Sequence, residues 1–356
     1  MALNSAMKMT HPNGILIIHP GTLGDVLLAL KAIRSIRDRL PGHECILLAR
    51  GEIGRLLMEY GVIDRVIAME GPVFSELLEE SPRRDQEFTD IFSRYTHAVA
   101  WVHDSGGRLS ENLQRVGIRH RCVISPHAYS LRALHQSDRF CETLELGMSD
   151  TSGKTFLPHG RPQADEPLLK IPIPSIPTKQ SKPVFMIHPG SGSRHKCLSP
   201  ERLSLIIKRL AGGDDRTVLI CQGPADEKRV TALTPYLDQV SYKIIKDIDL
   251  PEMARVLRQT DVFLGHDSGI THLAATLGIP TVALFGPTDP QRWSPKGDHV
   301  VVIQGPACKC QDWHAVQHCS EKLCLTHSVE EVVEVVERCL RGAGIEKPQR
   351  QLVKIN

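Results

Sequence analysis

Between Asp261 and Trp293 the chain reads DVFLGHDSGITHLAATLGIPTVALFGPTDPQRW. Val262–Gly265 is an apolar run long enough for a buried strand, Ile270–Leu277 has helical spacing, Gly278-Ile279-Pro280 stops the helix, and Thr281–Phe285 is a second apolar run. This is strand, tight loop, helix, strand, one unit of a parallel α/β sheet. The loop puts Ser268 and Gly269 at a helix N-terminus, where free N–H groups and the positive end of the dipole suit a phosphate. Ser268 and Thr271 add hydroxyls, and Asp267 and His272 could hold a sugar or ribose. Ser268 acting only as an ordinary helix cap satisfies the same spacing.

Three further loops carry candidate chemistry, each after an apolar run. In Gly21-Thr22-Leu23-Gly24-Asp25 the glycines allow close backbone approach, and Asp25 at a helix start could accept a proton from a hydroxyl nucleophile; capping by Asp25 is an equally adequate reading. Gly190-Ser191-Gly192-Ser193-Arg194-His195-Lys196 leads small residues into cations, so that N–H groups, serine hydroxyls and the Lys196 ammonium could form an anion site. In Gln222-Gly223-Pro224-Ala225-Asp226-Glu227, Glu227 could hydrogen-bond a nucleoside or simply occupy a first helical turn, where acids are favoured. Cys308, Cys310, Cys319 and Cys324 lie close in sequence, but C-x-C-x8-C-x4-C is not the paired spacing of structural zinc sites, which favours reduced thiols in a compact loop over a metal centre. Neither a Walker A loop, G-x-G-x-x-G, H-E-x-x-H nor G-x-S-x-G occurs.

The elements that must position these loops alternate along the chain. Ile15–His19, Cys45–Leu48, Arg65–Met69, His97–Val102 and Cys122–Ile124 read as strands, with helices between them and a last helix from about 130 to 146. Val26, Leu30, Ile33, Ile36 and Leu40 share one helix face. The stretch 149–183 carries seven prolines and reads as a linker between a domain over 14–148 and a second over 184–342. The pattern then restarts with strands at Val184–His188, Thr217–Gln222, Tyr242–Ile245, Val262–Gly265, Thr281–Phe285 and His299–Ile303. Residues 1–13 and 343–356 read as an extension and a tail. Ile18-His19-Pro20-Gly21 recurs as Ile187-His188-Pro189-Gly190, placing two glycine loops at equivalent strand ends. Alternation of this kind predicts doubly wound parallel sheets, which bind ligands outside the carboxyl ends of their strands.

With 356 residues, 41% hydrophobic and 24% charged, the chain is globular and long enough for two domains. Aromatics at 4% and a net charge of +2 argue against a nucleic-acid binder. No apolar run approaches a membrane span, the N-terminus has no signal-peptide core, and ten cysteines in a chain of this length fit a reducing cytoplasm.

Taken together, Gly24-Asp25, the loop ending in Lys196, the Gly223–Glu227 turn, Asp267-Ser268-Gly269-Ile270-Thr271-His272 and Phe285-Gly286-Pro287-Thr288-Asp289-Pro290 resemble, in order, the ADP-heptose:lipopolysaccharide heptosyltransferases of glycosyltransferase family 9 over about 14–340. The resemblance implies a GT-B fold: two Rossmann-like α/β domains whose parallel sheets face an interdomain cleft, donor mainly on the second domain and acceptor mainly on the first. It implies that Asp25 is the general base and that Lys196, with the Asp267–Gly269 helix end, holds the departing diphosphate. Thr22, Gly24, Ser191, Glu227, Asp267, Ser268, Gly269 and His272 then match donor-binding positions, with Asp267 on the heptose. The implied reaction is an inverting transfer of heptose from ADP-heptose to the lipopolysaccharide inner core, with no cofactor or divalent metal. The protein would sit in the cytoplasm, at the inner face of the cytoplasmic membrane. The first loop lacks the basic or serine-rich lead-in of the lipopolysaccharide enzymes, and the donor loop has glycine where they carry threonine. A GT-B enzyme using another nucleotide sugar, an epimerase, and a non-catalytic sugar-nucleotide-binding protein are the alternatives.

Overall fold

The computed structural model describes residues 13–80, 86–126, 134–146, 182–212 and 216–341. The expected extension except Asn13, nearly all of the proline-rich stretch and the tail lie outside the described residues. By contacts the chain divides into two units. The first takes in the described residues up to Gly21, those from Ala29 to 126, and those from Ser137 to 146. The second takes in Thr22–Leu28, 134–136 and everything described from 182 onward.

Strands β1 (Gly14–Ile18), β2 (Glu44–Ala49), β3 (Arg65–Ala68), β4 (Tyr95–Ala100) and β5 (His120–Val123) form the sheet of the first unit. Their order is β3-β2-β1-β4-β5 and every pairing is parallel. The central strand β1 is buried on both faces, which is why it reads as an unbroken apolar run. The helix read from the first loop to Leu40 is two helices, α1 (Leu23–Leu28) and α2 (Leu30–Arg39). Helices α3 (Gly51–Glu59), α4 (Pro72–Leu78), α5 (Gln86–Phe92), α6 (Arg108–Arg115) and α7 (Gln136–Leu146) follow. One core joins Leu16, Ile18, Ile46, Leu48, Ala98 and Ala100, alternate residues of the three central strands, to Leu77, Phe92, Leu109 and Leu113.

The second unit is built on β6 (Val184–His188), β7 (Thr217–Cys221), β8 (Tyr242–Ile245), β9 (Val262–His266), β10 (Thr281–Phe285) and β11 (Val300–Gln304). They run in the order β11-β10-β9-β6-β7-β8, again all parallel. Helices α8 (Pro200–Ala211), α9 (Glu227–Leu233), α10 (Leu250–Leu257), α11 (Gly269–Thr276), α12 (Pro290–Trp293), α13 (Trp313–His318) and α14 (Val329–Leu340) connect or follow them. Phe185, Ile187, Val218, Ile220, Val262, Leu264, Val282 and Leu284 meet Leu203, Ile206, Ile207, Val332 and Val336 in a second core. Ser199 caps α8 by accepting from Arg202 N, as Ser-Pro-Glu predicts. The winding of each sheet reverses at its central pair, β1/β4 in one and β6/β9 in the other. Beyond that pair lies the crevice where doubly wound sheets take ligands. Among the described residues no helix is long and apolar enough to cross a membrane.

Candidate active site at the β6/β9 switch point

The loops leaving β6 and β9 are adjacent at the switch point of the second sheet, because Ile187 pairs with Leu264 and His188 with Gly265. They bring Gly190–Lys196 against Asp267–Gly269. Ser191 Oγ donates to the Asp267 carbonyl at 2.5 Å. Lys196 Nζ reaches Asp267 Oδ2 at 2.7 Å, a pair whose side chains are 23% and 10% exposed. Thr288 Oγ1, from the loop after β10, donates to the same oxygen at 2.8 Å. The Lys196 ammonium also stands 5.8 Å from the centre of the Trp313 ring, within cation–π range. Two residues to which the resemblance gives different parts of a donor, the diphosphate and the sugar, are thus in direct contact.

Ser268 caps α11 by accepting from Thr271 N, as its reading as an ordinary helix cap expects. Its hydroxyl also meets His188 Nδ1 at 3.0 Å, and His188 Nε2 meets Asp226 Oδ2 at 3.0 Å, all three residues being buried. The sequence points to Glu227 rather than to its neighbour Asp226. In the structure Glu227 is exposed in the first turn of α9. Asp226 turns inward, accepts from Gly223 N at 2.9 Å, and fills the space above Gly190, where an added Cβ would lie 1.6 Å from Asp226 Oδ1. Burial alone would raise the Asp226 carboxyl; the hydrogen bonds from His188 and from the Gly223 N–H, with the nearby Arg229, outweigh it and hold the group below its ordinary value. The signal that could have found Asp226 is the pairing of an aspartate and a strand-end histidine with a glycine that leaves room for both.

The Gly21–Asp25 loop enters through α1, which belongs to the second unit and packs on α11. Asp25 Oδ2 accepts from Thr22 N at 2.9 Å and Thr22 Oγ1 at 2.7 Å, so the carboxylate reaches back over the start of α1 as in one half of a capping box. The missing side chains of Gly24 and Gly269 let the two helix starts touch: a Cβ on Gly269 would lie 2.9 Å from Leu23 Cβ, and one on Gly24 would lie 3.3 Å from His272 Cδ2. At these two glycines the missing side chains thus serve helix contact. His272 is buried, and that burial lowers its pKa against the opposing pull of Asp267 and Asp25, so it stays neutral near pH 7. It is the link that brings Asp25 into the electrostatic neighbourhood of the β9 loop.

The cysteine loop wraps α13. Cys319 Sγ accepts from Lys322 N at 3.4 Å. Burial chiefly pushes Cys324 up to about 12. All ten cysteines are unbridged, and among the described residues no group of three or more His, Cys, Asp or Glu is placed to hold a metal ion.

The model of glycosyltransferase family 9 (heptosyltransferase) matches residues 140–324, more than half of the chain. The chain belongs to glycosyltransferase family 9. Lipopolysaccharide heptosyltransferase 1 of Escherichia coli K12 is 21% identical over 301 residues, spanning 82% of this chain and 93% of its own. Among solved structures, a family 9 glycosyl transferase from Veillonella parvula superposes with a TM-score of 0.70 at 16% identity, covering 93% of this chain and 98% of that one. The ADP-heptose LPS heptosyltransferase II of E. coli does so with 0.66 at 17% identity, covering 92% and 98%. The fold of this family 9 member is therefore GT-B, with two Rossmann-like units.

Proposed function

We propose that the protein is an inverting glycosyltransferase that moves heptose from ADP-heptose to the inner core of lipopolysaccharide. The observation that carries this reading is the convergence of Lys196, Asp267, Thr288 and the capped N-terminus of α11 at a topological switch point. A cation and a helix N-terminus are what a diphosphate leaving group needs. The named E. coli relatives, a lipopolysaccharide heptosyltransferase and an ADP-heptose enzyme, support heptose as the sugar and ADP as the leaving group.

In this mechanism Asp25, oriented by Thr22, takes the proton of the acceptor hydroxyl. The acceptor oxygen forms its bond to the anomeric carbon as the bond from that carbon to the diphosphate oxygen breaks, and ADP departs with the electron pair. A single in-line displacement inverts the anomeric centre. Lys196 and the α11 N–H groups stabilise the charge gathering on the diphosphate, so no divalent metal is required. Asp267, relieved of part of its pairing with Lys196, turns to the sugar hydroxyls. Thr22, Gly24, Ser191, Gly269 and His272 shape the donor site, and Glu227 reaches the nucleoside. The acceptor, an inner-core lipopolysaccharide, is met at the inner face of the cytoplasmic membrane.

Calorimetric titration with ADP-heptose, ADP, UDP-glucose and UDP-GlcNAc in EDTA tests the donor. Tighter binding of ADP-heptose is expected; preference for a UDP sugar, or binding that EDTA abolishes, overturns the proposal. Asp25→Ala is expected to bind donor normally and to lose transfer by about 10²–10⁴-fold, the usual worth of a general base. Persisting transfer would remove Asp25 from that role.

A further inference from the structure

The second unit contains a buried hydrogen-bond chain that the transfer mechanism does not use. It runs from Gly223 N through Asp226, His188 and Ser268 to Thr271 and the His266 carbonyl. Its protons can be counted. The Asp226 carboxyl is held ionised and so only accepts, from Gly223 N and from His188 Nε2. A neutral His188 with its proton on Nε2 has only a lone pair at Nδ1, so the Ser268 hydroxyl, 3.0 Å away, must donate to it. Ser268 Oγ in turn accepts from Thr271 N at 3.3 Å, and Thr271 Oγ1 spends its proton on the His266 carbonyl at 2.6 Å. The 3.0 Å contact between the Ser268 and Thr271 hydroxyls then has no proton of its own. The hydroxyl that caps the anion-binding helix end points its hydrogen away from any anion.

A second proton on His188 reverses the arrangement. The imidazolium donates from both nitrogens, Ser268 accepts at Nδ1–H, and its hydrogen is released towards Thr271 or towards an anion at the start of α11. We propose that Asp226 and His188 are positioning residues that set the direction of the Ser268 hydroxyl, so that binding of a diphosphate at this helix end draws a proton onto His188. The proposal rests on the diphosphate placement given above. Within the unit, the charged and titratable groups around His188 are Asp226 from the loop after β7, Arg229 of α9, His266 of β9, and the Lys196–Asp267 pair beyond Ser268. Arg229 is spent on the Pro189 and Leu198 carbonyls, at 2.9 and 2.6 Å. His266 is kept neutral, chiefly by burial, and its Nε2 accepts from Leu198 N at 3.0 Å. Of these groups, His188 is the one with both an anionic partner and a hydroxyl to redirect.

The test is calorimetric titration of ADP, and separately of inorganic pyrophosphate, into the full chain. It is run in paired buffers of different ionisation enthalpy from roughly pH 5.5 to 8.5, around neutrality. Wild type is expected to take up protons on binding, with affinity rising as pH falls, by at most about tenfold per pH unit for one linked proton. His188→Gln keeps an amide donor for Asp226 and an oxygen for Ser268 but cannot titrate. It is expected to bind with the linked uptake lost, leaving only the uptake due to the ligand's own phosphates. Ser268→Ala, which keeps the His188–Asp226 pair, is expected to lose the same increment and serves if His188→Gln fails to fold. Unchanged proton uptake in a folded variant overturns the relay. If pyrophosphate shows His188-dependent uptake while ADP does not bind, the relay stands and the nucleotide reading falls. If neither ligand binds wild type, both fall.

Discussion

The same four residues, Ile-His-Pro-Gly, end the central strand of each unit, and the two histidines do different work. His19, at the end of β1, lies among aromatic rings, 5.7 Å from Trp101 and 5.3 Å from Phe140 between centroids, and its Nδ1 accepts from Gly21 N at 3.2 Å. His188, at the end of β6, stands between a carboxylate and a hydroxyl. Both are almost wholly buried, at 2% and 4% exposure, so burial is not what separates them. The difference comes from the neighbours that each sheet supplies. In the first unit they are Trp101, just past the end of β4, and Phe140 of α7. In the second, the loops after β7 and β9 supply Asp226 and Ser268. An identical local sequence gives a histidine set among aromatic rings in one place and one hydrogen-bonded to a carboxylate in the other.

The comparison can be broken most severely at His188. His188→Leu removes the partner of a buried carboxylate and is expected to cost about 3–5 kcal/mol in urea unfolding. A cost below that of an ordinary core swap would mean that Asp226 is not held as described. Gly190→Ala comes next. Its methyl group displaces the Asp226 carboxylate from above the loop, with an expected loss of about 2–3 kcal/mol, measured the same way. A smaller effect should appear in acid. Because the folded Asp226 carboxyl titrates below its ordinary value, the stability it contributes is full above about pH 4, where an unfolded aspartate ionises, and is lost as pH falls through the lower folded value. Asp226→Asn should therefore flatten the fall of melting temperature with acid, and a wild-type slope in that variant would contradict the assignment. The smallest effect is expected at the other copy of the motif. His19→Leu removes the hydrogen bond that the ring accepts from Gly21 N, worth about 1 kcal/mol. A penalty as large as that of His188→Leu would mean that the two histidines are equivalent after all.

Much of the architecture was readable because it is local. Strands such as Val184–His188 and Thr281–Phe285 are buried on both faces, so each is an unbroken apolar run between loop residues, and periodicity finds it. The strand–loop–helix–strand unit around Ser268 was readable for the same reason, with Gly278 at φ 82° marking the end of its helix. The break at Ala29 was not, since Leu28, Ala29 and Leu30 continue a helical pattern with no breaker residue. Nor could the sequence choose between Asp226 and Glu227. Consecutive residues at a helix start point in different directions, and only the position of His188 shows which carboxylate is inside.

By itself, then, the sequence determined two runs of parallel α/β structure, the loops that end their strands, and the residue types those loops offer. Only the tertiary structure decided which of these residues meet. Lys196 and Asp267 are separated by 71 positions, His188 and Ser268 by 80, and His188 and Asp226 by 38. Each meeting depends on β6 lying between β9 and β7 in the sheet. Strand order is set by the packing of whole faces across the unit, and no local period records it.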